Sequence, residues 1–559
     1  MPQTKLILDY VYDHEATRAD QVFLTQPIGG GQVRDYTWKQ TVDQARRMAA
    51  HLKSLNLEPG ARISIISKNC AHFFMAELAI WMAGGTTVAI FPTETAETIQ
   101  YVLEHSGASL VFIGKLDNWE QQAHAIPAGM PCIAMPLSPP TRFETWDKVV
   151  ARTEPLAGRV QRLPDDLALI CYTSGSTGLP KGAMHNFARA TAAAVGMAQY
   201  VKQSLGEGHN IRLLSYLPLA HIFERAWVEC TTLVDGSAHV FFAESLDTFL
   251  QDLNRARPNT FISVPRLWLK FQQGVFSKMP AKKLDRLLGI PLIGRLVARK
   301  VLKGLGLDQA LLASSGSAPI PPELIAWYRR LGLNLLEGYG MTEDFAYSHA
   351  SNPQFNAPGC VGVPLPQVQV RISEDQEILI KSPGQMVGYY KQPELNAEVF
   401  TADGYFRTGD RGERNSDGLL KITGRVKELF KTSKGKYVAP APIENMLNAH
   451  PLIELSIVSG VGQPSAYGMV VLAEDIRPQT GDPAVRAQIT SELTRLLKTV
   501  NETVPDYEHL QMLVIAQEPW SIENGCLTPT MKIRRSRIED QVKNRVDGWY
   551  SAKGVVHWS

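Results

Sequence analysis

The chain has few of the residues that mark a secreted or metal-binding protein. Its 559 residues include six cysteines, which are scattered without C-x-x-C pairs or histidine-rich neighbourhoods. Neither a disulfide framework nor a zinc site is therefore predicted. The N-terminus, Met1–Tyr10, also lacks the sustained apolar run and the small-residue cleavage site of a secretory signal. We expect a protein of the reducing cytoplasm.

An excess of one charge sign and a long uninterrupted apolar run are missing too. The 57 basic and 55 acidic side chains leave a formal net charge of +2, which gives no general electrostatic reason to bind nucleic acid. The most apolar longer stretch, residues 71–92, is interrupted by Glu77 and by Gly84-Gly85. We interpret it as core and not as a membrane span.

Apolar material for more than one large core is present. Hydrophobic residues make up 44% of the chain, and its length exceeds the roughly 250–300 residues at which a single core stops growing. Short β-rich runs alternate with segments of helical period, which is typical of an α/β fold with much parallel sheet. The predicted strands include residues 62–66, 87–91, 110–113 and 167–172, and the predicted helices include residues 36–52 and 70–83.

The pattern changes towards the C-terminus. Residues 368–380 and 404–422 are denser in strand and turn signals and predict a small β-rich subdomain. A charged, glycine-bearing segment, residues 424–438, then separates the large body from a tail with its own helix and strand patterns. We therefore expect a large N-terminal domain, residues 1–426, and a small α+β C-terminal domain, residues 427–559.

The most informative stretch runs from Tyr172 to Gly182, directly after a predicted buried strand. Its small residues let the backbone approach an anion closely, four hydroxyl side chains can donate hydrogen bonds, and Lys181 adds a point charge. This chemistry predicts a polyphosphate-binding loop. A flexible Ser/Gly surface turn is the alternative, but such a turn needs no lysine at a set distance.

The loop differs from two common nucleotide-binding motifs. The G-x-x-x-x-G-K-[ST] frame fails because Pro180 precedes Lys181 and Gly182 follows it. Gly175 and Gly178 are spaced as G-x-x-G, which does not match the G-x-G-x-x-G of a dinucleotide fold. Ordinary P-loop NTPase chemistry and hydride transfer are both disfavoured.

Further motifs follow the loop in a set order across most of the chain. They are Leu217-Pro-Leu-Ala-His-Ile-Phe-Glu-Arg225, Ser315-Gly-Ser-Ala-Pro319, Glu337-Gly-Tyr-Gly-Met-Thr-Glu343, Tyr405-Phe-Arg-Thr-Gly-Asp410, Gly424-Arg-Val-Lys-Glu428 and Leu527-Thr-Pro-Thr-Met-Lys532. Together with the loop, these motifs resemble the adenylate-forming superfamily of acyl-CoA synthetases, luciferases and peptide-synthetase adenylation domains.

The resemblance implies an acid-thiol ligase that uses ATP, Mg²⁺ and coenzyme A. Such an enzyme joins a carboxylate to AMP, releases pyrophosphate and passes the acyl group to a thiol. The forms of residues 217–225 and 263–268 are similar to those of long-chain fatty acyl-CoA synthetases, so a medium- to long-chain fatty acid is the expected substrate.

The resemblance also implies a set of nucleotide-binding residues. They are Thr173, Ser174, Gly175, Ser176, Thr177, Gly178, Lys181, Gly316, Ser317, Glu337, Gly338, Tyr339, Gly340, Thr342, Asp410, Arg425 and Lys532. Glu343 is the expected Mg²⁺ ligand, since a hard cation prefers carboxylate oxygen. Asp410 can accept hydrogen bonds from both ribose hydroxyls, and Tyr339 is the candidate to stack on adenine.

Thr342, Glu343 and Lys532 are the expected catalytic residues. By resemblance, Lys532 bridges the substrate carboxylate and the α-phosphate, although Met531 stands where many family members have glycine. The C-terminal domain that carries it is expected to be mobile and to rotate about a hinge at Lys427. In the second state Gly435 would approach the pantetheine arm, and His221 would lie near the acyl or pantetheine site.

Residues 278–303 carry eight basic side chains and one acidic side chain among many aliphatic ones. This composition suits peripheral contact with anionic lipid at the cytoplasmic face of a membrane. The favoured alternative is a helix pair packed on the N-terminal domain with a solvated basic face, because Pro291 and Gly294 interrupt any single long helix.

Two other functions stay open at this stage. A fatty-acyl-AMP ligase that loads a carrier-protein pantetheine thiol would share nearly all the motifs, although no obvious extra insertion favours it. A noncatalytic fatty-acid or nucleotide sensor would be expected to have lost at least one of the catalytic residues. The sequence leaves the oligomeric state undecided.

Overall fold

A mixed eight-stranded sheet lies at the centre of the N-terminal region. The computed structural model describes residues 5–173, 179–206, 208–528 and 531–559. Six strands of this sheet are parallel, and the two at one edge are antiparallel. The strands, in spatial order, are Gly388–Tyr389, Lys181–Asn186, Leu167–Thr173, Thr86–Ile90, Arg62–Ile66, Leu110–Ile113, Cys132–Ala134 and Glu144–Thr145.

Two smaller sheets complete the α/β body. In each of them three strands are parallel, and antiparallel strands extend one edge. The four-stranded sheet consists of Arg212–Ser215, His239–Phe242, Val22–Gly29 and Gln32–Thr37, and the five-stranded sheet of Thr260–Ser263, Leu312–Ser315, Leu335–Tyr339, His349–Ala350 and Val363–Pro364. The predicted α/β class with parallel-rich sheets is confirmed.

Helices cover the faces of these sheets. They are Ile7–Thr17, Trp38–Ser54, Ala71–Ala83, Ala96–Ser106, Trp119–Gln122, Trp146–Arg152, Phe187–Leu205, Ile222–Glu224, Thr231–Asp235, Phe249–Ala256, Pro265–Lys278, Ala281–Leu288, Ile293–Gly304, Pro322–Arg330 and Pro393–Val399, with 3₁₀ turns at Ala123–Ala125 and Thr342–Asp344 and a π-helix at Arg225–Cys230.

The apolar stretch that begins at Ala71 is part of the core, as predicted. Its helix is buried along nearly its whole length, including Glu77, and it packs against helix Trp38–Ser54. Gly84 ends the helix in the left-handed conformation at φ 93°, which favours glycine. Within the described ranges, no helix combines the length and apolarity that crossing a bilayer requires.

The predicted β-rich subdomain is an antiparallel four-stranded sheet. Its strands are Gln369–Ile372, Glu377–Lys381, Phe406–Arg414 and Leu420–Arg425. The long third strand pairs with the fourth so that Asp410 lies opposite Arg425. This register places two motif residues side by side at one end of the sheet.

The residues beyond a 3₁₀ turn at Val426–Glu428 form an α+β unit with cores of its own. One sheet joins an antiparallel strand pair to two further parallel strands, and helices pack on it. The strands are Phe430–Lys431, Tyr437–Val438, Ile453–Ser459, Ala466–Leu472, Leu510–Ile515 and Val556–Trp558; the helices are Pro440–Asn448, Pro483–Thr503, Arg535–Val542 and Val546–Ser551, with 3₁₀ turns at Arg477–Gln479 and Asp506–Glu508.

Candidate active site

The proposed phosphate loop joins two antiparallel strands of the central sheet. Thr173 ends one strand and pairs with Lys181, which begins the next. Residues between them, including Ser174, Gly175, Ser176, Thr177 and Gly178, lie outside the described residues. The loop that carries them therefore starts and finishes at one point on the sheet edge, with Thr173 and Lys181 facing each other across the ladder.

Thr342 and Glu343 lie in a short 3₁₀ turn that is bonded to this edge. The Thr342 carbonyl is 2.9 Å from Nε2 of His185, which belongs to the strand that begins with Lys181. The Glu343 carbonyl accepts a 2.7 Å hydrogen bond from the backbone N–H of Met386. Burial lowers the pKa of His185 to about 3, so its ring is neutral at physiological pH.

The Glu343 side chain is oriented by a tyrosine from the edge strand of the same sheet. The hydroxyl of Tyr389 donates a 2.6 Å hydrogen bond to Oε1 of Glu343. Burial and the Glu343 carboxylate raise the pKa of Tyr389 far above its usual range, so the phenol remains a donor. Nζ of Lys181 lies 5.7 Å from the centre of the same ring. One tyrosine thus connects the loop lysine to the candidate metal ligand.

Two neighbouring parallel strands bring the glycine-bearing motifs together. Ser315 pairs with Glu337, so Gly316 and Gly338 follow at the same edge. A Cβ on Gly316 would lie 3.3 Å from the Phe223 ring and 3.6 Å from the Gly338 carbonyl. The carboxyl ends of parallel strands are where ligands bind in open α/β sheets.

The backbone of these loops leaves little room for other side chains. A Cβ on Gly340 would approach backbone atoms of Ala346 to 2.7 Å, which no ordinary contact allows. Ser317 adopts a left-handed conformation at φ 69°, which is uncommon for a residue other than glycine. The backbone conformation is therefore constrained at both positions.

Tyr339, Asp410 and Arg425 form one hydrogen-bonded group. The Tyr339 hydroxyl donates to Oδ2 of Asp410 at 2.7 Å, and Nε of Arg425 lies 2.9 Å from Oδ1. Burial and the Asp410 carboxylate raise the pKa of Tyr339 well above its usual range. Each carboxylate oxygen has a second lone pair, so the group can still accept hydrogen bonds from a diol.

Glu337 lies deeper than the other motif residues. Its Oε2 accepts a 2.9 Å hydrogen bond from the backbone N–H of Gly359, and the residue is buried. Burial raises its pKa to about 8, so the side chain carries a proton at neutral pH. This arrangement holds the segment around Gly359 against the strand that leads to Tyr339.

Lys532 reaches this cleft from the C-terminal unit. The residue as a whole stays exposed, yet the protein atoms around it and the charge of Arg425 lower the pKa of Lys532. The carboxylates of Asp410 and Glu343 act in the opposite direction. Lys532 therefore lies within electrostatic range of three other sequence-predicted residues, Asp410, Glu343 and Arg425.

His221 lies within electrostatic range of Lys532. Burial and the Lys532 ammonium lower the pKa of His221 to about 3, so the imidazole is neutral. Its Nδ1 accepts a 3.2 Å hydrogen bond from the backbone N–H of Phe223, which caps the short helix that follows. The ring lies 6.3 Å from that of Phe91.

Gly435 and Lys427 lie outside this cluster. Gly435 occupies the turn between the two strands Phe430–Lys431 and Tyr437–Val438 and has a left-handed conformation at φ 77°. Lys427 is exposed in the 3₁₀ turn that follows Arg425. Gly435 therefore lies at the tip of a C-terminal hairpin, and Lys427 lies in the connection to the β-rich subdomain.

The single carboxylate of Glu343 suits a metal ion whose other ligands are substrate phosphates and water. Among the described residues, no group of three or more Asp, Glu, His or Cys side chains is arranged to hold a metal ion. Mg²⁺ commonly binds through one or two carboxylates together with substrate phosphates and water. Glu343 could hold such an ion beside a polyphosphate bound at the Lys181 loop, where the ion would neutralise phosphate charge.

Two residues of this site were missed by the sequence analysis. Tyr389 contacts Glu343 from 46 residues away, and His185 contacts Thr342 from 157 residues away. Neither belongs to a spaced motif that would connect it with its partner. The only sequence signal for His185 is its place in the strand that follows the proposed phosphate loop.

Comparison with known families places the chain among proteins that handle AMP. The profile of AMP-binding enzymes matches residues 12–390, and the profile of the AMP-binding enzyme C-terminal domain matches residues 428–554. The long-chain-fatty-acid–CoA ligase FadD15 of Mycobacterium tuberculosis is 29% identical over 97% of this chain and 96% of its own length. The human long-chain-fatty-acid–CoA ligase 1 is 27% identical over 97% and 88%.

Solved structures share the fold over nearly the whole chain. The didomain of carboxylic acid reductase from Segniliparus rugosus in complex with AMP superposes with a TM-score of 0.80 at 22% identity, covering 99% of this chain and 83% of that one. The anthranilate CoA ligase AuaEII in complex with anthranoyl-AMP gives 0.77 at 19% identity, over 98% and 99%. With the family profile matched over more than half of its length, this chain belongs to the AMP-binding enzyme family.

Proposed function

We propose that this protein uses ATP to convert a medium- to long-chain fatty acid into acyl-AMP and then transfers the acyl group to coenzyme A. The observations that support the proposal are that Tyr389 contacts both Glu343 and Lys181, and that Lys532 lies within electrostatic range of Glu343, Asp410 and Arg425. Positive charge at this point is what an attack by one anion on another requires.

In the first step a carboxylate oxygen attacks the α-phosphorus of ATP, and the bond to pyrophosphate breaks. Residues 173–178 and Lys181 would hold the β- and γ-phosphates, which lowers the barrier by positioning the leaving group. Mg²⁺ at Glu343 would neutralise developing negative charge. Tyr389 keeps the Glu343 carboxylate in place by its hydrogen bond, and Thr342 lies beside it.

The nucleoside would lie against the group formed by Tyr339, Asp410 and Arg425. The hydrogen bond to Asp410 fixes the edge of the Tyr339 ring, so its face is held ready to stack on adenine beside Gly316 and Ser317. Asp410 would accept the ribose hydroxyls. Lys532 would then bridge the acid and the α-phosphate.

In the second step the thiol attacks the acyl carbonyl, and AMP leaves. Lys532 has no role at that stage, so we propose that the C-terminal domain, residues 427–559, rotates about Lys427 and brings Gly435 to the pantetheine arm. Neutral His221, which caps the helix at Phe223, lies beside the space that Lys532 occupies and would contact the acyl or pantetheine group.

The choice of a fatty acid is supported by relatives of matching length. Long-chain-fatty-acid–CoA ligase is the name of relatives from Mycobacterium tuberculosis and Homo sapiens that align with 97% of this chain. The full set Lys181, Thr342, Glu343, Asp410, Arg425 and Lys532 is also retained, which argues against a noncatalytic sensor.

The test is pyrophosphate release from the purified protein with ATP, Mg²⁺ and a series of acids from octanoate to stearate. Each reaction is run with and without coenzyme A, and acyl-CoA is followed by mass spectrometry. We expect the wild type to form acyl-CoA and the Lys532→Ala variant to form far less of it. Acyl-AMP that accumulates regardless of coenzyme A would instead assign the protein to the carrier-protein ligases, and no pyrophosphate with any acid would refute fatty-acid activation.

A further inference from the structure

A basic helix pair projects from the N-terminal region far in sequence from the active-site motifs. The pair consists of Ala281–Leu288 and Ile293–Gly304 and lies in the stretch of residues 278–303. The eight basic side chains of this stretch are all exposed, namely Lys278, Lys282, Lys283, Arg286, Arg295, Arg299, Lys300 and Lys303. The single acid of this stretch, Asp285, is paired with Arg330 at 2.8 Å. Outside the stretch, acidic residues outnumber basic ones. Positive charge is therefore concentrated at this place on an otherwise acidic chain.

Four large aliphatic side chains are exposed among these charges. Leu292 and Leu296 are 74% and 71% exposed, and Ile290 and Ile293 are 42% and 46% exposed. We call residues 290–296 the apolar tip. Single exposed leucines are ordinary on soluble proteins, whereas several exposed aliphatic residues grouped within seven positions mark an interaction surface.

The fold holds the apolar tip outward. Leu292 has φ 67° and ψ −53°, a conformation that residues other than glycine seldom adopt. Gly294 follows it, and a Cβ there would approach the Leu288 carbonyl oxygen to 2.4 Å. Close packing at Gly294 therefore fixes the turn between the two helices, and the strained Leu292 is presented to solvent and not folded back.

The inner side of the same helices is fully used for packing. Leu284, Ala298 and Leu302 are buried in a core that also includes Trp268 and Phe271. On the outer side of helix Ile293–Gly304, Arg295 and Arg299 are one turn apart. Leu296 is exposed on the same helix, so the outer face combines aliphatic and cationic groups.

We propose that the apolar tip and its surrounding basic side chains dock this protein on an anionic lipid bilayer. The aliphatic groups would enter the headgroup region while arginine and lysine pair with lipid phosphates. A nucleic acid would use the charges but leave four aliphatic side chains in water. Membrane docking is independent of the reaction proposed above, and either can fail alone.

The full-length protein is tested by co-sedimentation with vesicles of phosphatidylcholine alone or mixed with phosphatidylglycerol. We expect binding to the anionic vesicles, weakened by salt. Arg295→Gln with Arg299→Gln should weaken it about 25-fold, at roughly fivefold for each charge near the surface. Leu292→Gln with Leu296→Gln should weaken it at least tenfold, because each buried leucine contributes substantially.

Matched controls are available elsewhere on the surface. Leu246→Gln removes a leucine that is 93% exposed, and Arg495→Gln with Lys498→Gln removes two exposed charges from another helix. These variants should bind vesicles like the wild type, and thermal unfolding checks that all are folded. Equal binding by tip variants and wild type, or no binding to anionic vesicles, would overturn the proposal. A tip variant with an altered oligomeric state would instead assign the surface to contact with a second copy of this protein.

Discussion

Tyr389, in the edge strand of the central sheet, donates a 2.6 Å hydrogen bond to Glu343, in the 3₁₀ turn Thr342–Asp344. Tyr389 belongs to the edge strand that pairs with residues 183 and 184 of the proposed phosphate hairpin, whereas Glu343 follows the strand that carries Tyr339. The bond leaves Oε2 of Glu343 available, since among the described residues no hydrogen bond to that atom is found. Replacing Tyr389 should therefore change the affinity of the proposed site for Mg²⁺.

Replacing Tyr389 by phenylalanine should raise the Mg²⁺ concentration needed for half-maximal pyrophosphate release. Loss of a residue that orients a metal ligand typically costs about 10–100-fold in affinity or activity. Tyr390→Phe is the matched control, because Tyr390 packs on His105 and lies outside the Glu343 contact. A Mg²⁺ titration that is identical for the two variants would show that Tyr389 has only a packing role.

Replacing Lys532 by alanine should separate the two half-reactions. Adenylation should fall by about 10²–10³-fold, because a charge that stabilises the transition state is removed. Transfer from chemically prepared acyl-AMP to coenzyme A should remain within a few fold of the wild type. Lys543→Ala removes an exposed lysine from the same domain and should change neither rate. Equal loss in both half-reactions would contradict the proposed role.

The pH dependence of adenylation should report the protonation of Lys532. The protein atoms around Lys532 and the charge of Arg425 lower its pKa, and the reaction needs the charged form. The value of kcat/KM should therefore decline as pH rises through this lowered pKa, at a lower pH than for an ordinary lysine with a pKa near 10.4. Lys532→Arg should be slower but lack that decline, because guanidinium stays charged. The same alkaline limb in both proteins would assign it to another group.

Local signals predicted much of the fold. Strands Arg62–Ile66 and Leu110–Ile113 have the predicted bounds, since their apolar runs are bounded by turn residues. The predicted helix at residues 36–52 begins instead at Trp38, because the Thr37 side chain accepts a hydrogen bond from Gln40 and caps it. Boundaries depend on such single contacts, which periodicity does not reveal.

The site required three-dimensional information at the points where distant segments meet. Motif order suggested Asp410 and Arg425, and strand register explains why they are adjacent. The contact of Tyr389 with Glu343 depends on which strand lies at the sheet edge, which is decided by tertiary packing and not by local pattern. The outward turn at Leu292 depends likewise on the fit of Gly294 against Leu288.

A buried ionic group next to the His221 motif gives a stability prediction. Arg225 contacts Glu77 at 2.5 Å and Glu229 at 3.2 Å, and all three residues are buried. Arg225→Met leaves two carboxyl groups without their cation and should cost about 3–5 kcal/mol. Glu229→Gln keeps one opposite pair and should be much milder. Urea unfolding followed by tryptophan fluorescence measures both, and equal destabilisation would refute the ion-pair account.

The last prediction concerns the rotation of the C-terminal domain. Arg266, in the N-terminal region, pairs with Glu454 of the C-terminal unit, and Arg477 lies 2.9 Å from the other oxygen of the same carboxylate. The proposed rotation would separate the first pair, whereas the second lies within one unit. Arg266→Gln should therefore slow adenylation and leave thioester formation unchanged or faster.

The expected change is small, because an exposed ion pair contributes about 0.2–1 kcal/mol, or up to roughly fivefold in rate. High salt should reduce the difference between Arg266→Gln and the wild type, since screening weakens the pair that only the wild type retains. Arg477→Gln, which removes the partner within the unit, should affect both half-reactions alike. If Arg266→Gln also slows the two steps equally, the ion pair does not distinguish two domain positions, and this argument for the proposed rotation about Lys427 fails.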